Sequence, residues 1–293
     1  MAYAAIAGTS QSLTSAPSGV LALQRALVWL AGASIAIVFI EPSPYELVTL
    51  TACVLFFATG LRMQLVFMPL LFALIVLNVG YSIGAVPFLD KPEVVNWVLT
   101  SWYMAVTVIF FAMVMSEDTE ARLDMLRRGL IVGAMIASLA GIAGYFHLVP
   151  GGYDLLTLYD RARGTFKDPN VLGAFLILPA LFTLQSVVSD RFGKAFRNAI
   201  AFGIISLAIL LSFSRAAWGG LIVTAAFMLA LMVFTSRSQA QRSRIIVMTL
   251  IAAILAVALI AVLLSIGTVA DMFKQRASFD QSYDEGRFGR FGR

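Results

Sequence analysis

Long uninterrupted apolar runs constrain this chain more than any other feature of its sequence. Several of them reach the roughly 20 residues that a helix needs to cross the hydrocarbon core of a bilayer. Backbone polar groups in lipid must be satisfied within the segment, so each run should be helical. Composition agrees, because 60% of the 293 residues are hydrophobic and only 13% are charged. We therefore predict an all-α polytopic transmembrane helical bundle.

Polar breaks divide the apolar runs into about nine candidate spans. We place the spans at 25–40, 46–61, 65–84, 94–115, 130–149, 171–189, 199–213, 216–234 and 245–269. A short interfacial helix is predicted at 116–129, with Asp118 and Arg122 spaced for an i,i+4 ion pair. Every fourth residue from Gly133 to Gly141 is Gly or Ala, which predicts a face that packs closely against a neighbouring helix.

The distribution of Lys and Arg predicts the orientation. With the N-terminus in the cytoplasm, the first 150 residues place five basic residues on the cytoplasmic side (Arg25, Arg62, Arg122, Arg127 and Arg128) and one, Lys91, outside. The loops 190–198 and 235–244 add three each to the cytoplasmic side. The N-terminus is thus predicted inside and the C-terminus outside. Residues 1–24 are then a loose cytoplasmic tail, 25–269 the transmembrane domain and 270–293 an outer segment.

A dense polar segment, RARGTFKDPNVLG (161–173), comes directly before the sixth span on the predicted outer side. Its basic residues are Arg161, Arg163 and Lys167. Asn170 or Asp168 is placed to cap the following helix, whose N-terminus presents free N–H groups and a positive dipole end. Arginine suits phosphate because its planar fork donates two parallel hydrogen bonds. The segment predicts an anion site; an ordinary solvated loop in contact with headgroups is the alternative.

Arg215 lies in the apolar context LLSFSRAAWGG, at the predicted outer end of a tight helical hairpin. A charge at bilayer depth costs at least ~2.5 kcal/mol on insertion scales. An arginine that faces a buried phosphate explains this charge, and an arginine that snorkels to the headgroups is the alternative. Ser212 and Ser214 could add hydrogen-bond donors, although serines also bond helix carbonyls.

Few residues suggest metal or acid–base chemistry. His147 is the single histidine, and a lone histidine in an apolar setting is more often structural than catalytic. With no second histidine and no cysteine pair, we predict no metal site and no cofactor. Asp154, Asp160 and Asp168 share the outer loop, where they could orient the arginines or bind a divalent cation. Spacing alone leaves both possibilities open.

Three blocks together resemble the O-antigen ligase and Wzy-type polysaccharide polymerase family of bacterial inner membranes. The first is R-x-x-G-x-F-x-D/N-P-N-x-x-G, at 161–173. The second is a helix ending in Ser-Arg before small residues, at 214–217, and the third is Y-D-x-G-R-x-x-R, at 283–290. The resemblance extends from about residue 95 to the end of the chain.

The resemblance implies a metal-independent glycosyltransferase with its active face in the periplasm. Its donor would be an undecaprenyl-pyrophosphate-linked glycan, and its acceptor either another carrier-linked glycan or lipid A–core, so ligase and polymerase stay open. No nucleic acid is expected as a partner. The pyrophosphate would be bound by Arg215 with Arg287 or Arg290, and Arg161 or Arg163 would support them. Further supporting residues are Lys167, Asp168, Asn170 and Ser214.

One departure from the family pattern concerns the general base. The family's proposed base is a histidine in a large outer loop that carries a His-Asn pair, and the chain stops at Arg293, where that loop should begin. His147 does not match its position. We therefore hypothesise that this chain binds the donor but transfers little or no sugar. Two other functions remain: a non-catalytic membrane scaffold that binds anionic lipid, and a transporter or flippase, which would place its polar groups near the midplane.

Overall fold

The computed structural model describes residues 18–40, 42–236 and 238–277, and helices dominate this part of the chain. The helices are α1 (Ser18–Ser34), α2 (Pro44–Ala58), α3 (Met68–Ala85), α4 (Pro92–Ser116), α5 (Thr119–Tyr145), α6 (Gly152–Leu156), α7 (Pro169–Ser189), α8 (Phe192–Leu211), α9 (Arg215–Thr235), α10 (Gln239–Leu264) and α11 (Gly267–Ala277). Short 3₁₀ turns flank α3 at Leu65–Phe67 and Val86–Phe88. The two strands, β1 (Thr157–Leu158) and β2 (Arg161–Ala162), form one small antiparallel hairpin.

The predicted all-α polytopic bundle is confirmed. Seven helical segments among the described residues are long and apolar enough to cross a membrane: α3 with its flanking turns, α4, α5, α7, α8, α9 and α10. The first two predicted spans correspond to the shorter apolar helices α1 and α2. This is a multi-pass membrane protein whose apolar helices place it in a lipid bilayer.

The described chain forms two compact units. Among the described residues, unit 1 takes in 18–34 and 44–129, and unit 2 takes in 35–40, 42–43, 130–236 and 238–277. The core of unit 1 is built on Phe56, Phe110 and Met113, each at most 2% exposed. The candidate site residues that the structure describes all belong to unit 2.

The predicted separate helix at 116–129 is wrong, because α5 runs without interruption from Thr119 to Tyr145. The predicted pair within it is also replaced. Arg122 approaches Glu117 at 3.4 Å, donates to the Val114 carbonyl at 2.5 Å, and lies over the Phe56 ring. A buried guanidinium needs several partners at once, and the residues that precede α5 supply them.

Helix α7 lies at the centre of unit 2. Its side chains Leu172, Leu176 and Ala180 are fully buried, and they pack in one cluster with Ala137 of α5 and Ile209 of α8. α7 begins at Pro169, which suits the first helical position because that N–H has no helical partner. This central packing fixes the N-terminus of α7, next to which the polar segment 161–168 lies.

Candidate functional site

The chain between α5 and α7 forms a compact polar region, residues 146–168, which we call the hairpin region. It contains α6 and the β1–β2 hairpin. The register pairs Thr157 with Ala162 and Leu158 with Arg161. The connecting residues Tyr159 and Asp160 both have positive φ, +52° and +56°, as in a type I′ turn. Such φ values are uncommon outside glycine, so contacts of this region with its surroundings must hold the turn in place.

Arg161 is buried, with 6% of its surface exposed. Its Nε donates to the backbone carbonyl of Ser212 at 2.8 Å, and its Nη2 donates to Oδ1 of Asn170 at 2.7 Å. Ser212 caps the C-terminus of α8, where carbonyls lack helical partners and the dipole favours a cation. Arg161 therefore ties the hairpin region both to the end of α8 and to the start of α7.

Arg163 is half-buried and turned toward α6. Its Nε donates to the Leu155 carbonyl at 3.2 Å, and its Nη2 donates to the Asp154 carbonyl at 3.3 Å. These carbonyls belong to the C-terminal turn of α6, so the positive charge of Arg163 faces the negative end of that short helix. Lys167 is exposed on the same region.

Small residues allow the hairpin region to lie directly on α5. A Cβ at Gly141 would stand 3.5 Å from the Cβ of Ala162 and from the backbone of Gly164. The close-packing face predicted from Gly133 to Gly141 therefore meets the hairpin at Gly141, while Ala137 of the same face also lies in the cluster with α7 and α8. Elsewhere in the hairpin region, the Thr165 hydroxyl donates to the carbonyl of Ala36. The backbone carbonyl of Thr165 accepts the N–H of Val38 at 3.0 Å.

The start of α7 is capped by the acidic residue predicted for that role. Oδ1 of Asp168 accepts the N–H of Asn170 at 2.7 Å. Asn170 is exposed and accepts from Arg161 through its side chain. One turn later, a Cβ added to Gly173 would stand 2.8 Å from the Cβ of Ala217. The first turns of α7 and α9 are therefore in direct contact, and the missing side chain at Gly173 permits it.

The turn between α8 and α9 is short and buried. Phe213 has a left-handed backbone with φ +46° and is 2% exposed. It packs against Tyr145 and Trp218, with ring centroids 6.0 and 6.2 Å away. Ser214 then caps α9 by accepting the N–H of Ala217 at 3.4 Å. This turn places Arg215 on the first residue of α9, where it is exposed.

These contacts bring two blocks of the sequence to one end of unit 2, which we call the hairpin end. The N-termini of α7 and α9 lie side by side there, and each contributes a positive dipole end. Arg215 and Lys167 are exposed at the same end, while Arg161 joins the blocks from within. Chemically, the hairpin end is a surface suited to an anion. Ser214, Asp168 and Asn170 contribute to it by shaping the helix starts.

Sequence reasoning missed a second cluster in the hairpin region. The rings of His147 and Tyr153 stack with centroids 4.2 Å apart and planes within 9°. The hydroxyl of Tyr153 donates to Oδ1 of Asp160 at 2.5 Å, and this bond, with burial, raises the pKa of Tyr153 to about 12. His147 follows α5, Tyr153 lies in α6 and Asp160 lies in the β1–β2 turn, so no single helical or strand period signals the cluster.

Helix α11 is also absent from the sequence-based description. It begins at Gly267, just after α10, and its Phe273 ring stacks on Trp218 of α9 with centroids 4.7 Å apart. Val269 of α11 is buried beside Phe213. The start of the predicted outer segment is thus helical and packs beside the first turns of α9.

The remaining predicted site residues, Arg287 and Arg290, lie outside the described residues. Within the described ranges, no group of three or more His, Cys, Asp or Glu side chains is placed to hold a metal ion. The family resemblance rests on the three sequence blocks, two of which, at 161–173 and 214–217, meet in space. No family model, no curated protein and no solved structure matches the chain.

Proposed function

We propose that the hairpin end binds the diphosphate of a polyprenyl-diphosphate-linked glycan, as the donor site of a glycan ligase or polymerase of the periplasmic face of the bacterial inner membrane. One observation carries the binding part of this proposal: the first turns of α7 and α9 touch at Gly173, with Arg215 in the first turn of α9. The resemblance described above supports the choice of a glycan transferase.

The electrostatics of the hairpin end favour a compact, multiply charged anion. Each helix N-terminus carries about half a positive charge, and Arg215 adds a full charge at the first residue of α9. A diphosphate carries several negative oxygens within a few ångströms, so it can meet these groups together. A monovalent carboxylate or a neutral lipid headgroup gains less from the same arrangement. Lys167 adds a second exposed cation on the adjoining loop.

The buried guanidinium of Arg161 supports this site from behind. By bonding Ser212 and Asn170, it holds the turn before Arg215 against the start of α7. We assign Arg161 to positioning and Arg215 to direct contact with the diphosphate. Arg163, bound to α6, stabilises the loop that joins them.

The same site would assist transfer as well as binding. In the reaction, the bond between the sugar's anomeric carbon and the diphosphate oxygen breaks, and the electron pair leaves on the diphosphate. A hydroxyl oxygen of the acceptor bonds to the anomeric carbon and releases its proton to a base. Negative charge therefore grows on the leaving group, where Arg215 and two helix N-termini would stabilise it.

A direct test measures binding of farnesyl diphosphate to the full chain in phosphatidylcholine nanodiscs by calorimetry. We expect farnesyl monophosphate to bind at least about tenfold more weakly, and farnesol not measurably, because charge supplies the affinity. Arg215→Gln should weaken diphosphate binding by about tenfold or more. The matched control is Arg197→Gln, which removes the same charge near the other end of α8 and should leave the affinity unchanged.

Two results would refute the proposal. Equal affinity for farnesyl diphosphate and farnesol would mean that only the apolar tail is recognised. Equal losses in Arg215→Gln and Arg197→Gln would mean that overall charge, rather than the hairpin end, attracts the lipid. Both variants change exposed residues, and thermal unfolding of each is measured alongside binding, so that a loss of affinity caused by unfolding is recognised.

A further inference from the structure

The cluster of His147, Tyr153 and Asp160 is not used by diphosphate binding. His147 is exposed although Tyr153 covers one face of its ring, so the opposite face of the imidazole remains accessible. Asp160 is exposed at the hairpin turn, and Tyr159 beside it is 78% exposed. An aromatic stack and a carboxylate thus stand together, and Tyr159, next to Asp160 in the chain, adds an exposed aromatic ring at the same turn.

The chemistry of this cluster does not fit an anion. A carboxylate repels phosphate, and Asp160 accepts only one described hydrogen bond, that of the Tyr153 hydroxyl. A carboxylate has about four lone-pair directions, so others are left for donors on a ligand. Aromatic faces attract the slightly positive C–H edges of a ligand. A pyranose offers both partners, because its ring has C–H faces and its rim has hydroxyl donors.

We propose that His147, Tyr153, Tyr159 and Asp160 form a subsite for the sugar nearest the diphosphate. This inference rests on the proposed function, since it identifies which part of the lipid-linked glycan each side of the hairpin region binds. The aromatic rings cover a C–H face of the pyranose, and Asp160 accepts hydrogen bonds from its hydroxyls. The negative charge of Asp160 disfavours a phosphate group at this subsite, so the subsite favours a neutral sugar.

The position of the cluster fits this division of roles. Asp160 and Arg161 are consecutive residues, about 3.8 Å apart at their Cα atoms, and their side chains differ in environment. Arg161 is buried toward Ser212 and the start of α9, while Asp160 is exposed. Arg161 donates to the carbonyl of Ser212, three residues before Arg215, so the turn that carries Asp160 is joined through Arg161 to the turn that carries Arg215.

The experiment compares bare farnesyl diphosphate with farnesyl diphosphates that carry glucose, galactose or N-acetylglucosamine, bound to the full chain in phosphatidylcholine nanodiscs. We expect at least one sugar-bearing probe to bind about tenfold more tightly than the bare diphosphate, from one stacking contact and one or two hydrogen bonds. Asp160→Ala and His147→Ala should each remove most of that gain. Tyr153→Phe keeps the ring stack and loses the hydroxyl, so an intermediate loss is expected.

The bare diphosphate serves as the internal control for folding. Its affinity should stay within about twofold in all three variants, because none of them touches the helix N-termini. Equal affinities for all four probes would overturn the sugar subsite, and so would a variant that weakens every probe equally. If the proposed function itself is wrong, the result is different: Arg215→Gln leaves the affinity of every probe unchanged.

Discussion

The Nε of Arg161 lies 2.8 Å from the carbonyl oxygen of Ser212, and this hydrogen bond joins residues 51 positions apart in the chain. Ser212 is fully buried, and the bond satisfies a carbonyl at the end of α8. The contact connects the hairpin region with the turn that places Arg215. The bond brings two separate sequence blocks to one surface. Its removal should therefore affect both the stability of the protein and the anion surface.

We expect Arg161→Gln to lower the free energy of unfolding by about 2 kcal/mol, because the buried Ser212 carbonyl would lose its partner. Thermal unfolding in detergent measures the change. Lys167→Gln is the control, since it removes a charge from an exposed residue of the same loop and should stay within about 0.5 kcal/mol. An unchanged unfolding temperature in Arg161→Gln would contradict the structural role of the bond.

A methyl group at Gly173 should separate the first turns of α7 and α9. The new Cβ would stand 2.8 Å from the Cβ of Ala217 and 2.9 Å from Oγ of Ser212. We expect Gly173→Ala to cost about 1–3 kcal/mol through overpacking and to weaken binding of farnesyl diphosphate. Gly219→Ala is the matched comparison, because a Cβ there meets nothing within 4 Å, and it should be neutral or slightly stabilising. Equal behaviour of the two variants would argue against contact between the helix starts.

Two substitutions at Asp168 separate the effect of the helix cap on stability from the effect of the carboxylate charge on diphosphate binding. Asparagine caps helices about as well as aspartate, so Asp168→Asn should change stability by less than about 1 kcal/mol. The substitution removes a negative charge beside the anion surface, and we expect roughly threefold tighter binding of farnesyl diphosphate at low salt. Asp168→Ala, which also loses the cap, should cost about 1 kcal/mol. Weaker binding in Asp168→Asn would show that the carboxylate itself assists the ligand.

The hydrogen bond between Tyr153 and Asp160 predicts that the stability of the folded protein depends on pH in the alkaline range. The pKa of Tyr153 is raised to about 12 because its hydroxyl donates to Asp160, so folding favours the protonated phenol. A raised folded-state pKa means that the stabilisation is complete below the ordinary value near 10 and is lost as pH rises through about 12. The difference in unfolding temperature between the unaltered protein and Tyr153→Phe should follow this course. A difference that persists above pH 12 would contradict it.

The helices could be predicted largely from the sequence, as α4 and α9 show. The predicted spans 94–115 and 216–234 match Pro92–Ser116 and Arg215–Thr235 within two residues, because proline and charged residues bound these apolar runs. Helix α5 was predicted less well. The predicted boundary between 129 and 130 is wrong, because Gly129 lies inside a continuous helix where a Cβ would collide with the backbone of Trp29. Glycine here allows close packing, and a single sequence cannot separate that use from helix termination.

The sequence names candidate residues in both blocks, but it does not show which of their side chains are buried. Arg161 and Arg215 were both expected to face phosphate, and the sequence does not tell a buried guanidinium from an exposed one. The difference arises because Arg161 follows a tight turn and meets the end of α8, while Arg215 begins a helix. The stack of His147 on Tyr153 depends on the left-handed backbone of His147 and the turn that follows it.

The sequence by itself determined that the chain is a helical membrane protein, because apolar length and backbone hydrogen bonding leave few other structures in lipid. It also located most of the polar segments that interrupt the helices, although not the extent of α5. Only the tertiary structure decided that the segment before α7 and the turn before α9 share one surface. That outcome depends on contacts between residues some 51 positions apart, and local propensity and periodicity carry no information about such long-range packing.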